Sequence, residues 1–237
     1  MLSISSLRSM VLQFNQRRWS HPQCQLCQLP LPYNESIWCR HCIAHFPQPP
    51  HCARCGTTTV NPVEQCGQCL RSPPPWHRLY RLGEYDFPLK QIIHQLKFNG
   101  KFWLAKPLAD QFVLSLDQPA PLILPVPLHA ARRFNRGFNQ SAHLAWAIAE
   151  ATNSQCIANG FKRQRYTKVQ KKLTKNERKK NVHQAFILKI KSLPKHVAIV
   201  DDVVTTGSTV AELTRLLLNN GVERVDVYCI CYTPSIE

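Results

Sequence analysis

The chain has 237 residues, of which 44% are apolar, so it is long enough for one ordinary domain and a second small one. Its formal net charge of +16 favours a polyanionic partner such as nucleic acid, a phosphorylated ligand or an anionic membrane surface. No stretch is long and apolar enough to span a bilayer, and the N-terminal residues lack the apolar core and cleavage site of a secretory signal. We therefore expect a cytoplasmic protein without a membrane span, in which thiols stay reduced.

The first 75 residues differ in composition from the rest of the chain. Residues 1–20 are predicted to be an N-terminal extension, with apolar positions at helical spacing. Residues 21–75 contain eight of the eleven cysteines, many prolines and few large aliphatic side chains, so this segment cannot close a hydrophobic core of its own. We predict a small domain over 21–75 that is not held by apolar packing, with the stiff run Pro73–Pro75 at its end.

Beyond Pro75 the pattern changes to that of an α/β domain, which we place at 76–237. The predicted elements are, in chain order, a strand or hairpin at 78–87, helices at 88–98 and 102–116, a strand at 122–127, a helix at 139–151, a strand at 195–204, a helix at 209–219 and a strand at 225–231. Strands that alternate with helices indicate a mainly parallel sheet with helices on both faces.

The cysteines of the small domain form four C-x-x-C pairs, and each pair can place two thiolates on one metal ion. Taken in order, the pairs make two sets of four, which are Cys24, Cys27, Cys39 and Cys42, then Cys52, Cys55, Cys66 and Cys69. The agreement of four pairs favours two structural zinc ions over disulfides, a redox site or an iron–sulfur cluster. Four thiolates leave no open position for water, so we expect these ions to stabilise the fold. An interleaved arrangement, in which the first pair joins the third, is the alternative to sequential pairing.

A second motif, VAIVDDVVTTGST, places two carboxylates between a buried strand and a helix. Asp201 and Asp202 end the apolar run, and the loop that follows consists of Thr205, Thr206, Gly207, Ser208 and Thr209. The N–H groups of such a loop and the helix dipole attract a phosphate, and carboxylates accept hydrogen bonds from sugar hydroxyls. The motif therefore predicts a site for a ribose 5-phosphate group, and the alternative is a capped helix beside surface charges. No Walker motif occurs in the chain, which argues against an ATPase motor.

The same motif resembles the phosphoribosyl pyrophosphate motif of type I phosphoribosyltransferases. Together with PVPLHAARRFNRGFNQSAHLA at 125–145, the basic segment 161–186 and the four cysteine pairs, it resembles the ComF family of bacterial competence proteins. This resemblance covers nearly the whole chain after residue 20. It implies a double zinc ribbon followed by a phosphoribosyltransferase-like domain, in which Asp201 and Asp202 meet the ribose hydroxyls and Thr205–Thr209 hold the 5-phosphate.

By the same resemblance, the segment Pro125–Arg136 falls where these enzymes carry a pyrophosphate loop. Its candidate donors to a pyrophosphate, which would carry Mg²⁺, are Arg132, Arg133 and Arg136. A solvated basic face is the alternative interpretation of these arginines.

The two residues after RGF, Asn139 and Gln140, can either cap the next helix or contact a ligand. Thr205 stands where 6-oxopurine transferases have an acidic residue that serves the base. The resemblance therefore supports a ligand site more than a particular reaction, and it identifies no catalytic residue.

The segment 162–180 is strongly basic, since it holds ten of the thirty basic residues and one acid, Glu177. We interpret it as a flap over the phosphoribosyl site, as a track for single-stranded DNA on which Phe161 and Tyr166 stack with bases, or as both. The nucleic-acid candidates are Lys162, Arg163, Arg165, Lys168, Lys171, Lys172, Lys179 and Lys180. A merely solvated loop is the third interpretation, and the one-sided charge argues against it.

Two functions follow from these features. The first is a competence protein that assists DNA uptake and transformation, binds single-stranded DNA and a phosphoribosyl pyrophosphate-type ligand, and works with other proteins of the competence machinery. The second is an active phosphoribosyltransferase that acts on an unidentified nucleobase or amine. Release of pyrophosphate that depends on an acceptor distinguishes the second function from the first.

Overall fold

The computed structural model describes residues 22–32, 35–128, 137–163 and 185–233. The chain divides into two compact units between His45 and Phe46. Its helices and strands are α1 Arg40–Ala44, α2 Gly67–Arg71, β1 Arg78–Glu84, α3 Leu89–Phe98, α4 Ala105–Phe112, β2 Leu122–Pro125, α5 Gln140–Thr152, β3 Gln155–Cys156, β4 Phe161–Arg163, β5 Phe186–Leu188, β6 His196–Val204, α6 Ser208–Leu218 and β7 Arg224–Tyr232. The predicted N-terminal extension lies outside the described residues. None of the helices in the described ranges has the length and apolar character that a bilayer crossing needs.

The first unit contains one set of four cysteines and little regular structure. An antiparallel bridge between Gln23 and Pro30 closes the loop that carries Cys24 and Cys27. The second cysteine pair of this set lies at the start of α1, where the Cys39 sulfur accepts a hydrogen bond from the backbone N–H of Cys42. The only apolar side chains buried in the described part of this unit are those of Cys24, Leu31 and Trp38. This small core agrees with the expectation that something besides apolar packing stabilises the segment.

The second unit is built on a five-stranded sheet with the strand order β1-β7-β6-β2-β3. Every pair of neighbouring strands is parallel. Helices α4 and α5 pack on one face of the sheet, and α6 packs on the other face beside the antiparallel pair β4-β5. The predicted fold class, a mainly parallel sheet with helices on both faces, is confirmed.

The strands of the sheet differ in length at one end. Strand β6 pairs with β7 as far as Val204, which lies opposite Tyr232. On its other side β6 pairs with β2 only as far as Val200, which lies opposite Pro125. Among the described residues, the last four of β6 therefore have a strand neighbour on one side only. In open parallel sheets, the crevice beyond the carboxyl ends of the strands is where ligands bind.

The second set of cysteines belongs to the same compact unit as the sheet. The backbone N–H of Leu79 in β1 donates to the Ala53 carbonyl at 2.9 Å, and the hydroxyls of Thr57 and Tyr232 lie 3.1 Å apart. Gly56 has φ +81°, and an added Cβ there would lie 2.6 Å from the Leu79 side chain. The segment therefore packs directly against the edge of the sheet. The predicted domain limits, 21–75 and 76–237, differ from the division into compact units at His45 and Phe46, and they remain a prediction.

Candidate functional site

The two adjacent aspartates lie in the part of β6 that extends past β2. One carboxylate oxygen of Asp201 accepts hydrogen bonds from the Ser141 hydroxyl at 3.0 Å and from the Asp202 backbone N–H at 2.9 Å. The Lys97 ammonium lies 2.9 Å from an oxygen of Asp202, whose side chain is only 5% exposed. The last turn of α3 and the first turn of α5 thus each supply one polar side chain to the pair. Two acids sit side by side here because one is paired with a cation and the other is hydrogen-bonded.

The protonation of Asp201 is set by its surroundings. Burial and the neighbouring Asp202 carboxylate raise the pKa of Asp201 to about 7, although the Lys97 charge and the Ser141 hydroxyl act in the opposite direction. In the unfolded chain an aspartate titrates near 3.9. Between these values the folded protein binds more protons than the unfolded one, so stability falls as the pH rises from about 4 to about 7.

We expect Asp201→Asn to raise the thermal stability of the protein at neutral pH. The amide oxygen can accept the same two hydrogen bonds, but the cost of ionising a buried carboxylate is gone. Each kcal/mol gained is worth about 2–4 °C in melting temperature for a chain of this size. The difference between variant and parent should grow from pH 5.5 to 7.5, as followed by thermal melting. A difference in melting temperature between variant and parent that stays constant across this range would contradict the raised pKa. Asp117→Asn, a substitution at an exposed aspartate, is the control.

The loop after β6 has the conformation that the sequence motif requires. Gly207 caps α6 with φ +69°, a backbone conformation that other residues adopt only with strain. The hydroxyls of Thr206 and Ser208 in this loop lie 3.2 Å apart, and the side chains of Thr205 and Thr206 are exposed. Hydroxyl and N–H donors therefore gather at the N-terminus of an eleven-residue helix, next to the aspartate pair. This arrangement suits an anionic ligand that also carries hydroxyl groups.

The side chain of Trp76 packs against this loop. A Cβ added to Gly207 would lie 2.7 Å from the Trp76 ring, so the ring is in close contact with the loop backbone. The indole N–H of Trp76 donates to the Arg54 carbonyl at 2.8 Å. Arg54 lies between Cys52 and Cys55, and its guanidinium donates to the carbonyls of Pro74 and His77 at 3.1 and 3.2 Å. One short chain of contacts thus joins the second cysteine set to the loop.

Both cysteine sets have the geometry of a four-thiolate metal centre. The structure brings together Cys24, Cys27, Cys39 and Cys42 in one set and Cys52, Cys55, Cys66 and Cys69 in the other, with all sulfurs of a set within 4.8 Å of one another. The S···S separations are 3.7 Å for Cys27–Cys39, 3.9 Å for Cys52–Cys69 and 3.8 Å for Cys55–Cys66. A tetrahedral ion with Zn–S bonds of about 2.3 Å requires S···S separations of about 3.8 Å. Both sets are therefore compatible with structural zinc, and the pairing is sequential.

Hydrogen bonds from backbone N–H groups lower the pKa of one thiol in each set, whereas burial raises the pKa of Cys42 and Cys69. Burial tends to raise the pKa of Cys24, but backbone N–H groups, among them that of Cys39, lower it to about 6. Burial acts in the same way on Cys66, and hydrogen bonds, first from the Cys69 backbone, lower its pKa to about 7. Because a metal binds the thiolate and not the thiol, N–H donors aimed at sulfur favour the ligating form.

The structure covers the predicted site residues unevenly. It brings together Asp201, Asp202 and Thr205–Thr209. The arginines 132, 133 and 136 lie outside the described residues, as do most of the nucleic-acid candidates, namely Arg165, Lys168, Lys171, Lys172, Lys179 and Lys180. Lys162 is exposed on β4, whereas the Arg163 guanidinium lies 5.2 Å from the centre of the Phe186 ring and is half-buried. Asn139 caps α5 and donates to the Val126 carbonyl at 3.1 Å.

Three residues of the site were not identified from the sequence as its components. Lys97 and Ser141 contact the aspartates, and Trp76 supports the loop. Gln140 was considered only as a cap or ligand contact, and it is buried beside Ser141 with no hydrogen bond to its carbonyl oxygen from the described residues. Nothing local marks Lys97 or Trp76, because each reaches the site through tertiary packing.

Comparison with known proteins now adds to this geometry. A family model described as a phosphoribosyl transferase domain matches residues 154–237, which include the aspartates and the loop. The chain is 40% identical over 219 residues to the DNA utilization protein YhgH of Salmonella typhimurium, which covers 89% of this chain and 96% of the relative. It is 31% identical over 217 residues to Competence protein F of Haemophilus influenzae, covering 87% and 95%. The chain belongs to the ComF family. A more distant member, Competence protein ComFC of Streptococcus pneumoniae, is 27% identical over 202 residues.

Membership of the ComF family covers both parts of the chain described above. The matched length extends beyond the α/β unit into the cysteine-rich part, because 89% of the chain is aligned. The names of these relatives indicate a family role in DNA utilization and competence. The resemblance stated from the sequence is thus confirmed at the level of the family.

Proposed function

We propose that this protein assists the uptake and handling of DNA in transformation by binding single-stranded DNA and a phosphoribosyl pyrophosphate-type ligand. The observation that carries the ligand part is the meeting of Asp201, Asp202 and the Gly207 loop at the open end of β6. The names of the ComF relatives support the DNA part. We place the protein in the cytoplasm, with other competence proteins as partners and two structural zinc ions in the cysteine sets.

Different residues of this site bind different parts of the ligand in the proposed complex. Asp201 and Asp202 accept hydrogen bonds from the ribose hydroxyls, and the loop Thr205–Thr209 donates to the 5-phosphate. The Lys97 ammonium shares Asp202 with a ribose hydroxyl and limits the negative charge that faces an anionic ligand. The arginines 132, 133 and 136 are the proposed donors to the pyrophosphate group, whose Mg²⁺ the ligand brings with it.

Calorimetry with phosphoribosyl pyrophosphate tests this ligand directly. The proposal expects saturable binding that is stronger with Mg²⁺ than with a chelator. Ribose 5-phosphate is the informative second ligand, because it keeps the groups that contact the aspartates and the loop but lacks the pyrophosphate. It should bind more weakly and with less dependence on Mg²⁺. Absence of binding by both compounds would remove the ligand from the proposal.

The second candidate function is transfer of the phosphoribosyl group to a nucleobase or an amine. The same site favours it, since fixed carboxylates beside the sugar would stabilise a transition state with positive charge on the ribose, and cationic donors would stabilise the departing pyrophosphate. A screen of nucleobases, amines and DNA for release of pyrophosphate decides between the two candidates. Release that requires one acceptor supports the enzyme, whereas binding without release supports the binding protein.

Binding of single-stranded DNA should depend on the basic segment and weaken with salt. Replacement of Lys171, Lys172, Lys179 and Lys180 with glutamine should lower the log–log salt slope by as much as about 3, since each phosphate contact contributes about 0.7 for single strands. Fluorescence anisotropy at several salt concentrations measures this slope. Replacement of Arg71, Lys189, Lys191 and Lys195 removes the same charge from exposed positions elsewhere and is the matched control. Equal slopes for both variants would place the DNA track in another part of the chain.

A further inference from the structure

Six aromatic side chains form a partly exposed surface beside the aspartate pair. This aromatic surface consists of Phe98, Phe102, Trp103, Phe138, His143 and Trp146. Exposure of its four largest apolar members is 58% for Phe98, 51% for Phe102, 52% for Trp103 and 48% for Trp146. Large aromatic side chains are usually buried, and a contiguous exposed group of them marks an interaction site.

Five of the six rings touch one another in a continuous series, and the Phe98 ring lies 4.7 Å from that of His94. The Phe102 and His143 rings stack at 5.4 Å with an interplanar angle of 24°. Trp103 meets Phe102 edge-on at 5.8 Å, and Trp146 meets His143 edge-on at 5.4 Å. Phe138 meets His143 at 5.8 Å from the other direction. The side chains hold each other in place, so a flat ligand can bind without first ordering them.

The surface carries positive charge around its rings. The segment from Phe87 to Ala109, which supplies three of the rings, contains four lysines and no acidic residue, the lysines being Lys90, Lys97, Lys101 and Lys106. Three of these have fixed partners: Lys97 pairs with Asp202 at 2.9 Å, Lys106 pairs with Asp110 at 3.0 Å, and Lys101 donates to Gln95 at 3.0 Å. Lys90 and Lys101 are therefore the two lysines of this segment whose charge is not paired with a carboxylate of the described residues. Aromatic rings mixed with lysines fit a ligand that has both flat bases and a negative backbone.

The aromatic surface and the proposed phosphoribosyl site share two helices. Helix α3 contributes Lys97 to Asp202 and, at the next position, the exposed ring of Phe98. Helix α5 contributes Ser141 to Asp201 and, two positions later, the ring of His143. The same two helices therefore carry residues of both, although positions one and two apart on a helix face different directions.

We propose that the aromatic surface binds single-stranded DNA by stacking its bases on Phe102, Trp103 and Trp146. This inference rests on the proposed function of DNA handling and gives it a second, base-dependent contact. The basic segment 162–180 would neutralise phosphates, whereas this surface would recognise bases without regard to their order, because every base has an aromatic face. An apolar protein partner fits less well, since the lysines around the rings would be desolvated without anionic partners.

The test compares two labelled strands, an oligothymidylate and an abasic strand of equal length. Phe102→Ala with Trp103→Ala should weaken binding of the oligothymidylate by about tenfold or more, since each stacked base lost costs roughly 5- to 150-fold. Binding of the abasic strand should not change, and neither should the log–log salt slope, because the phosphate contacts remain. The conservative pair Phe102→Tyr with Trp103→Phe keeps the rings and should bind like the parent. Val60→Ala with Leu114→Ala removes exposed apolar side chains elsewhere and is the control.

Several outcomes would overturn the proposal. Equal affinity of the alanine variant and the parent for oligothymidylate, at unchanged melting temperature, means that the rings do not contact bases. A parent that binds neither strand means that the DNA function itself fails. A parent dimer that the alanine variant converts to a monomer, with DNA affinity unchanged in sedimentation and anisotropy, means that the surface binds a second copy of the chain. If only the lysine variant of the basic segment loses affinity for DNA, the protein binds DNA through that segment and not through the aromatic surface.

Discussion

Phosphoribosyl pyrophosphate should bind the Asp201→Asn, Asp202→Asn variant at least about tenfold more weakly than the parent. Both carboxylates accept hydrogen bonds from the ribose hydroxyls in the proposed complex, and a hydrogen bond to a charged group is worth about 1.5–3 kcal/mol. Loss of negative charge would by itself favour an anionic ligand. That gain is small here, because Lys97 already lies 2.9 Å from Asp202 and the pKa of Asp201 is about 7.

Calorimetry on the variant needs a control that removes the same charge. Asp117→Asn with Glu223→Gln does so at two exposed carboxylates, with side-chain exposures of 71% and 64%. The control should bind like the parent. Because Asp201→Asn is expected to stabilise the fold, weaker binding in a variant that melts no lower than the parent cannot come from unfolding. Equal binding by the variant and the control would leave the aspartates without a role in the ligand site.

The loop offers an independent test of the same site. Gly207→Val should abolish binding, because a β-branched residue strains the backbone at φ +69° and its Cβ would collide with Trp76. This variant should also melt at a lower temperature, so its binding has to be measured well below that temperature. Ser208→Ala removes one hydroxyl without strain and should weaken binding less. Binding that survives both changes would place the phosphate elsewhere.

Loss of one ligand from the second cysteine set should destabilise the sheet, whereas the same loss from the first set should not. The purified protein should contain close to two zinc ions, and Cys69→Ser and Cys24→Ser should each contain about one. Cys69→Ser should lower the melting temperature of the α/β unit by about 20–40 °C, since a structural zinc supplies on the order of 10 kcal/mol and each kcal/mol is worth about 2–4 °C. Cys24→Ser should leave this transition unchanged.

The difference between the two variants follows from where each set lies. The second set shares a compact unit with the sheet and contacts β1 and β7 through Ala53 and Thr57. Its Arg54 carbonyl also holds Trp76 against the phosphate loop. Cys69→Ser should therefore weaken binding of phosphoribosyl pyrophosphate as well. The first set belongs to the unit that ends at His45, so its loss should be confined to that unit.

Zinc analysis, thermal melting and calorimetry on the two serine variants check these expectations. The variants are matched, because each replaces one buried cysteine of a four-cysteine set. Trp76→Phe tests the connection itself, since it keeps an aromatic side chain but removes both the donor to Arg54 and the outer edge of the indole that contacts Gly207. Identical melting of the α/β unit in the two serine variants would contradict the proposal that the second cysteine set stabilises the sheet. A purified protein with intact thiols and no bound metal would contradict the proposed structural zinc ions.

The parts of this protein that could be predicted from its sequence are those specified by local patterns. The spacing of the C-x-x-C pairs predicts four-thiolate centres because two residues between cysteines let one turn present both sulfurs to an ion. The apolar run Val197–Val200, followed by two carboxylates and a glycine loop, predicts a buried strand with a polar end. In both cases the residues that act together lie within one short segment, so periodicity and spacing are enough.

Other features depend on residues that are far apart in sequence. The pairing of the cysteines could not be decided from spacing, because either arrangement satisfies the same turns. Lys97 and Ser141 come from two different helices, and they meet the aspartates where β6 extends past the end of β2 at Val200. Trp76 reaches Gly207 from more than a hundred residues away in the chain. Strand register, relative strand length and helix packing bring these groups together, and no local pattern in the sequence records them.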